Sequence, residues 1–117
     1  MTEQKKASKA PLLSRADLQY EYSWEASEGD NARIVGFPDN VLLNRHEGYE
    51  VLPFINRFAD KHGLARKISG QKTEWLIKEY LPSNVRSHEK VRQWLESNWK
   101  AHDGEWNKKV ERGDIAK

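Results

Sequence analysis

Residues 44–64, NRHEGYEVLPFINRFADKHGL, constrain the fold more than any other stretch, because they carry a start, an apolar face and a stop. Asn44 is a capping residue, and Glu47 lies three positions on, as a capping box requires. At ~100° per residue, Gly48, Val51, Leu52, Ile55, Phe58, Ala59 and His62 fall within an arc of roughly 120°. Gly63 stands where a left-handed C-terminal cap belongs, and Leu64 can close that cap hydrophobically. Pro53 lacks a backbone donor, so it should kink this helix or begin its second half. Tyr49 and Phe54 leave the main arc and offer a second face.

Upstream the period changes. In residues 18–26, LQYEYSWEA, Leu18, Tyr20, Tyr22, Trp24 and Ala26 alternate with Gln19, Glu21, Ser23 and Glu25. Period two with aromatic residues predicts a strand. Residues 27–31, SEGDN, read as a turn, residues 32–37 as a second short strand, and Pro38-Asp39-Asn40 as its stop. The expectation is an antiparallel hairpin whose aromatic face packs on the helix of residues 44–64, which would then be the spine. Residues 41–43 are either a third short strand or the lead-in to that helix.

Downstream, residues 70–81 predict a second helix ended by Pro82, with Thr73, Leu76, Ile77, Tyr80 and Leu81 on one face. Ser87 caps a third helix beginning at His88, with Val91, Trp94, Leu95 and Trp99 in its apolar stripe. Asp103-Gly104 suggests a break before a short or frayed fourth helix that ends near Gly113. The expected fold class is therefore α+β: an N-terminal antiparallel β-hairpin packed on a three-helix or four-helix C-terminal bundle. Residues 1–13 read as a mobile tail, 14–100 as a single domain, and 101–117 as a short helix or frayed tail.

Composition narrows the function classes. A chain of 117 residues supports one modest core. Charged residues make up 32%, yet five tryptophans argue against wholesale disorder. Cysteine is absent, which removes disulfides and thiolate chemistry and fits a reducing compartment. No apolar run reaches the ~20 residues of a membrane span, and the lysine-bearing N-terminus has no apolar signal region. A cytoplasmic protein with no membrane partner is the expectation.

The net charge is only +2, but residues 61–100 hold nine cations against four carboxylates. Such a surface can attract nucleic acid or another acidic partner, although solvated helix faces are the simpler account. Residues 66–99 resemble a helix-turn-helix in outline only, since the connector at 82–87 exceeds the usual turn of ~3–4 residues. The candidate contacts on this basic side are Arg66, Lys67, Lys72, Arg86, Ser87, Lys90 and Arg92, with Ser87 and Arg86 able to hold phosphate at a helix start. Trp75 lies ~100° off the stripe of its helix. Either another segment covers it or it is left for a partner, protein or nucleic acid.

Catalytic patterns are weak. His46, His62, His88 and His102 are scattered. His46 and Glu50 share a helix face at i, i+4, but no second His–carboxylate element matches them. No phosphate-binding glycine loop and no G-x-S-x-G elbow occurs. No catalytic residue, metal or cofactor is expected. The chain reads as a small non-enzymatic accessory protein acting as a protein–protein interaction module. Its partner would be an unidentified protein, or a second copy joined through the hairpin edge. The alternative is a nucleic-acid-binding module using the basic side of residues 66–92. A small hydrolase stands third, and it requires a pocket that gathers a histidine and a carboxylate.

Overall fold

The computed structural model describes residues 11–25 and 36–113. After a single 3-10 turn at Arg15–Asp17, the described residues form four α-helices. These are α1 (Gly48–His62), α2 (Lys67–Glu79), α3 (His88–Asn98) and α4 (Asp103–Glu111). They contain no strand and no sheet; only two isolated bridges occur, Ser23 with Glu47 and Leu42 with Ser87. The α+β expectation is thus corrected to a mostly helical fold, with no N-terminal β-hairpin among the described residues. The supposed turn and most of the second strand, at residues 26–35, lie outside the described residues, as do residues 1–10 and 114–117.

The physical reason for the correction is visible in residues 18–25. Alternation implies an extended backbone but does not say what saturates its N–H groups. Here α2 and the start of α1 do so. Glu74 of α2 accepts the backbone N–H of Gln19 at 2.9 Å, that of Tyr20 at 3.2 Å, and the Tyr22 hydroxyl at 2.5 Å. Ser23 donates to the His46 carbonyl and accepts from Gly48 N–H. Glu25 N–H meets the Glu47 carboxylate. Trp24 seats directly on Gly48, where an added Cβ would lie 2.4 Å from the indole. Residues 41–43 are likewise a lead-in: Leu43 N–H bonds the Arg86 carbonyl and His88 N–H bonds that of Val41.

Helix α1 starts later than its sequence suggests. Glu47, not Asn44, is the N-cap and accepts from Tyr49 N–H, while Asn44 Oδ1 takes the N–H of His46. The helix runs unbroken through Pro53. It buries Val51, Phe54, Ile55, Phe58 and Ala59, and ends on Gly63 at φ 66° with Leu64 N–H bonded to the Ala59 carbonyl. Helix α3 starts as expected, with Ser87 Oγ accepting from Lys90 N–H. Val91 and Leu95 are fully buried there, with Trp94 and Trp99 half-buried beside them.

The spine is α2 rather than α1. Every residue from 70 to 77 is buried. Helices α1 and α3 flank it. Leu12 and Leu13 press on Gly70, where a Cβ would come within about 3 Å of them. On the remaining side, Trp106 of α4 meets the Trp75 ring at 5.1 Å. A helix enclosed on all sides must satisfy its polar side chains internally. Gln71 Nε2 bonds the Asp17 carbonyl, Thr73 Oγ1 bonds that of Ser69, and Lys72 pairs with Asp103 beneath the Trp99 ring. Arg45 closes the end of α2 by donating to the carbonyls of Leu81, Pro82 and Val85.

Candidate interaction surface

Folding disperses the predicted basic cluster. Arg66 is the exposed N-cap residue of α2, and Lys67 beside it pairs with Asp17 at 3.3 Å. Lys72 is buried in its pair with Asp103. Arg86 and Lys90 are exposed. Ser87 is buried, with its hydroxyl committed to the α3 cap and to Asp39. Arg92 binds Glu89 at 2.5 Å and Glu96 at 2.8 Å. The guanidinium holds the Glu89 carboxyl below its usual range. Burial pushes Glu96 up, but hydrogen bonds from Arg92 and His62 outweigh it and leave that carboxyl lowered too. Trp75 is 6% exposed and enclosed by Trp106, Tyr80 and His102, and it lines an open depression of about 360 Å³ with Glu79, Tyr80 and Glu105.

Further concave surface lies at the corner where α1 turns into α2. Between the end of α1 and the flank of α3 is a cleft of about 340 Å³. Phe58, Leu64 and Trp99 give it an apolar lining; His62, Glu96, Ser97 and Lys100 supply the polar groups. His62 Nε2 stands 2.9 Å from Glu96 Oε2, and its ring packs on Phe58 with centroids 4.6 Å apart. Across the corner is a wider groove of about 620 Å³, lined by Pro11, Leu12, Arg57, Asp60, Ala65 and Lys67 among others. Leu64 lines both, so the two depressions meet at its side chain.

Arg57 is the unusual charge in this region. Its Nε donates to the Gly36 carbonyl and its Nη2 lies 2.9 Å from His88 Nδ1, but it forms no ion pair among the described residues. Burial against Phe37 and Phe54 lowers its pKa. Arginine can only donate, so His88 Nδ1 accepts and the ring proton sits on Nε2. That Nε2 is buried with no hydrogen-bond partner among the described residues. Burial, helped by the Arg57 charge, pushes the His88 pKa down to about 4, so the imidazole is neutral at physiological pH.

Sequence reasoning passed over Arg57 and the cleft residues Phe58, Trp99 and Lys100 as site candidates. No local spacing joins Arg57 to His88, which are 31 positions apart. Leu64 read only as a helix-closing residue. The available signal was the basic run after Gly63, which places Arg66 and Lys67 just beyond an apolar helix end. His46 and Glu50 do not form a metal site: Glu50 Oε1 accepts from Asn44 N–H, and no group of three candidate ligands occurs among the described residues. No helix among them is long and apolar enough to cross a membrane. No family model, curated protein or solved structure matches this chain.

Proposed function

We propose that this chain is a non-enzymatic protein-interaction module whose docking face is the α1–α2 corner. The observation that carries the reading is the pair of depressions joined at Leu64, apolar inside and rimmed by charge. That arrangement suits the side chains of a partner segment, with a central apolar anchor and a polar rim. The hairpin-edge route to a dimer has no support, because the described residues contain no sheet edge.

The other two readings fare less well on geometry. A nucleic-acid surface built on residues 66–92 would have to work without Lys72, Ser87 and Trp75, which are buried, and with Arg92 already held by two carboxylates. The cleft does gather His62 and Glu96, as a hydrolase requires. However, it sits at the C-terminal end of α1, where the helix dipole is negative and opposes a developing oxyanion.

Panning a random-peptide display library against the wild type and two blocked variants tests the proposal. Ala65→Trp and Ser97→Trp each add bulk at an exposed position lining one depression. Peptides that bind the wild type and lose binding to either variant are expected. Enrichment that ignores both substitutions contradicts the docking face.

A further inference from the structure

We infer that the segment received at this corner is acidic: a bulky apolar side chain enters the cleft between Phe58, Leu64 and Trp99, and flanking carboxylates lie toward Arg57, Lys67 and Lys100. This rests on the docking reading above and adds the chemistry of the occupant. Charge complementarity carries it. Arg57 lines the wider groove and has no carboxylate of its own among the described residues, its Nε and Nη2 being held by the Gly36 carbonyl and His88 Nδ1. Lys100, on the cleft, and Arg66, at the α2 start, make no ion pair among the described residues, and the Lys67–Asp17 pair is solvent-facing on its lysine side.

The two helix ends at the corner contribute opposite signs: α1 finishes there with its negative end, and α2 begins there with its positive one. Helix α2 opens onto the groove with no side-chain cap and no acid in its first turn. Its positive end therefore adds to the cations around it instead of being offset. The two carboxylates of the corner are both occupied: Glu96 by Arg92 and His62, and Asp60 by an interaction of its own. An incoming carboxylate thus meets cations rather than free acids.

A protein segment fits this chemistry better than a nucleic acid does. Single-strand binding relies on open aromatic faces for stacking. Trp99 has the Lys72 ammonium 4.3 Å above its ring and Phe58 tilted against it at 5.8 Å, so the cleft offers an apolar notch rather than a platform.

Fluorescence anisotropy with labelled probes of fixed composition decides the matter. The probes are an acidic peptide with a Leu-Phe anchor, the same peptide with Asn and Gln for its acids, the acidic peptide with Ala for its anchor, and a poly-dT oligonucleotide. The first probe should bind at least about ten-fold more tightly than each of the others, and should weaken on the order of ten-fold against Lys67→Glu/Lys100→Glu. Both lysines have side chains reaching solvent, so the variant keeps its fold, as a matching urea midpoint would verify. Equal binding of the acid-free peptide overturns the acidic occupant, as does tighter binding of the oligonucleotide. Library peptides that need the corner but carry no acids would overturn this inference alone and leave the docking face standing; a library that ignores the blocked variants would remove both.

Discussion

Helix α2 and the corner before it hold the same kinds of charged residue under opposite conditions. Inside α2, Lys72 and Glu74 are buried, and each is provided for: Lys72 has Asp103 and the Trp99 ring, and Glu74 has two backbone N–H groups and a phenol. At the corner, Arg57, Arg66 and Lys100 are left without a carboxylate among the described residues. The first set holds the fold together, since an unpaired buried charge would be strongly destabilising. In the second set Arg66 and Lys100 are free to act on something else, while Arg57 is held by the Gly36 carbonyl and His88. A charged residue's role therefore follows from whether the fold has already given it a partner, and its type alone says little.

Predictions that break or sharpen this contrast begin in the interior. Trp106→Ala should lower stability by ~3–5 kcal/mol, because it empties the contact that covers Trp75 and holds α4 down. Urea denaturation measures it, and a loss below ~1 kcal/mol would mean that α4 is not part of the core. Acid comes next. His88 binds its proton more weakly when folded, with a pKa of about 4 against 6.5 for the free side chain. The unfolded chain then holds more protons within that window. Stability is complete above pH 6.5 and falls as pH drops toward 4, by about 3 kcal/mol in all. His88→Gln retains an acceptor for Arg57 but does not titrate. The difference between its stability–pH profile and that of the wild type should contain this limb; parallel profiles would mean that His88 is not protected from protonation.

Glu74→Gln should cost roughly 1–3 kcal/mol, since an amide cannot accept from all three donors as a carboxylate does. The loss should appear as faster amide exchange in residues 18–25, and unchanged exchange there would uncouple that segment from α2. The smallest effect belongs to the corner. Lys67→Glu/Lys100→Glu should change stability by no more than about 0.5–1 kcal/mol, as solvent-facing charges do. A larger loss in the urea midpoint would show those cations to be structural and would erase the contrast.

Much of the helical framework was legible. Gly63 and Ser87 mark a stop and a start, each for a local stereochemical reason, whereas the break falls at residues 99–102 and Asp103-Gly104 open α4 behind the N-cap His102. The alternation of residues 18–25 was legible, but the strand it suggested is not formed, and what holds the segment was not legible. A carboxylate fifty-five positions away replaced the expected strand, and no period in the sequence announces that. The burial of Lys72 and Glu74 was hidden because amphipathic patterning assumes one wet face, and α2 has none between residues 70 and 77. Trp75 looked misplaced for the same reason: it points away from the α2 stripe because α4 waits on that side. The corner was legible only in fragments, as an apolar helix end followed by cations, because its depressions are made by α1, α3 and the N-terminal segment together.

The most direct test of the account is a fluorine NMR titration of protein carrying 5-fluorotryptophan, in which five tryptophans give five resonances. Trp99→Phe and Trp75→Phe assign the two that matter. On adding the acidic Leu-Phe peptide, the Trp99 resonance should move while that of Trp75, enclosed by Trp106 and Tyr80, stays fixed. Movement of Trp75 with Trp99 unchanged, or a spectrum that the peptide leaves untouched, would contradict it.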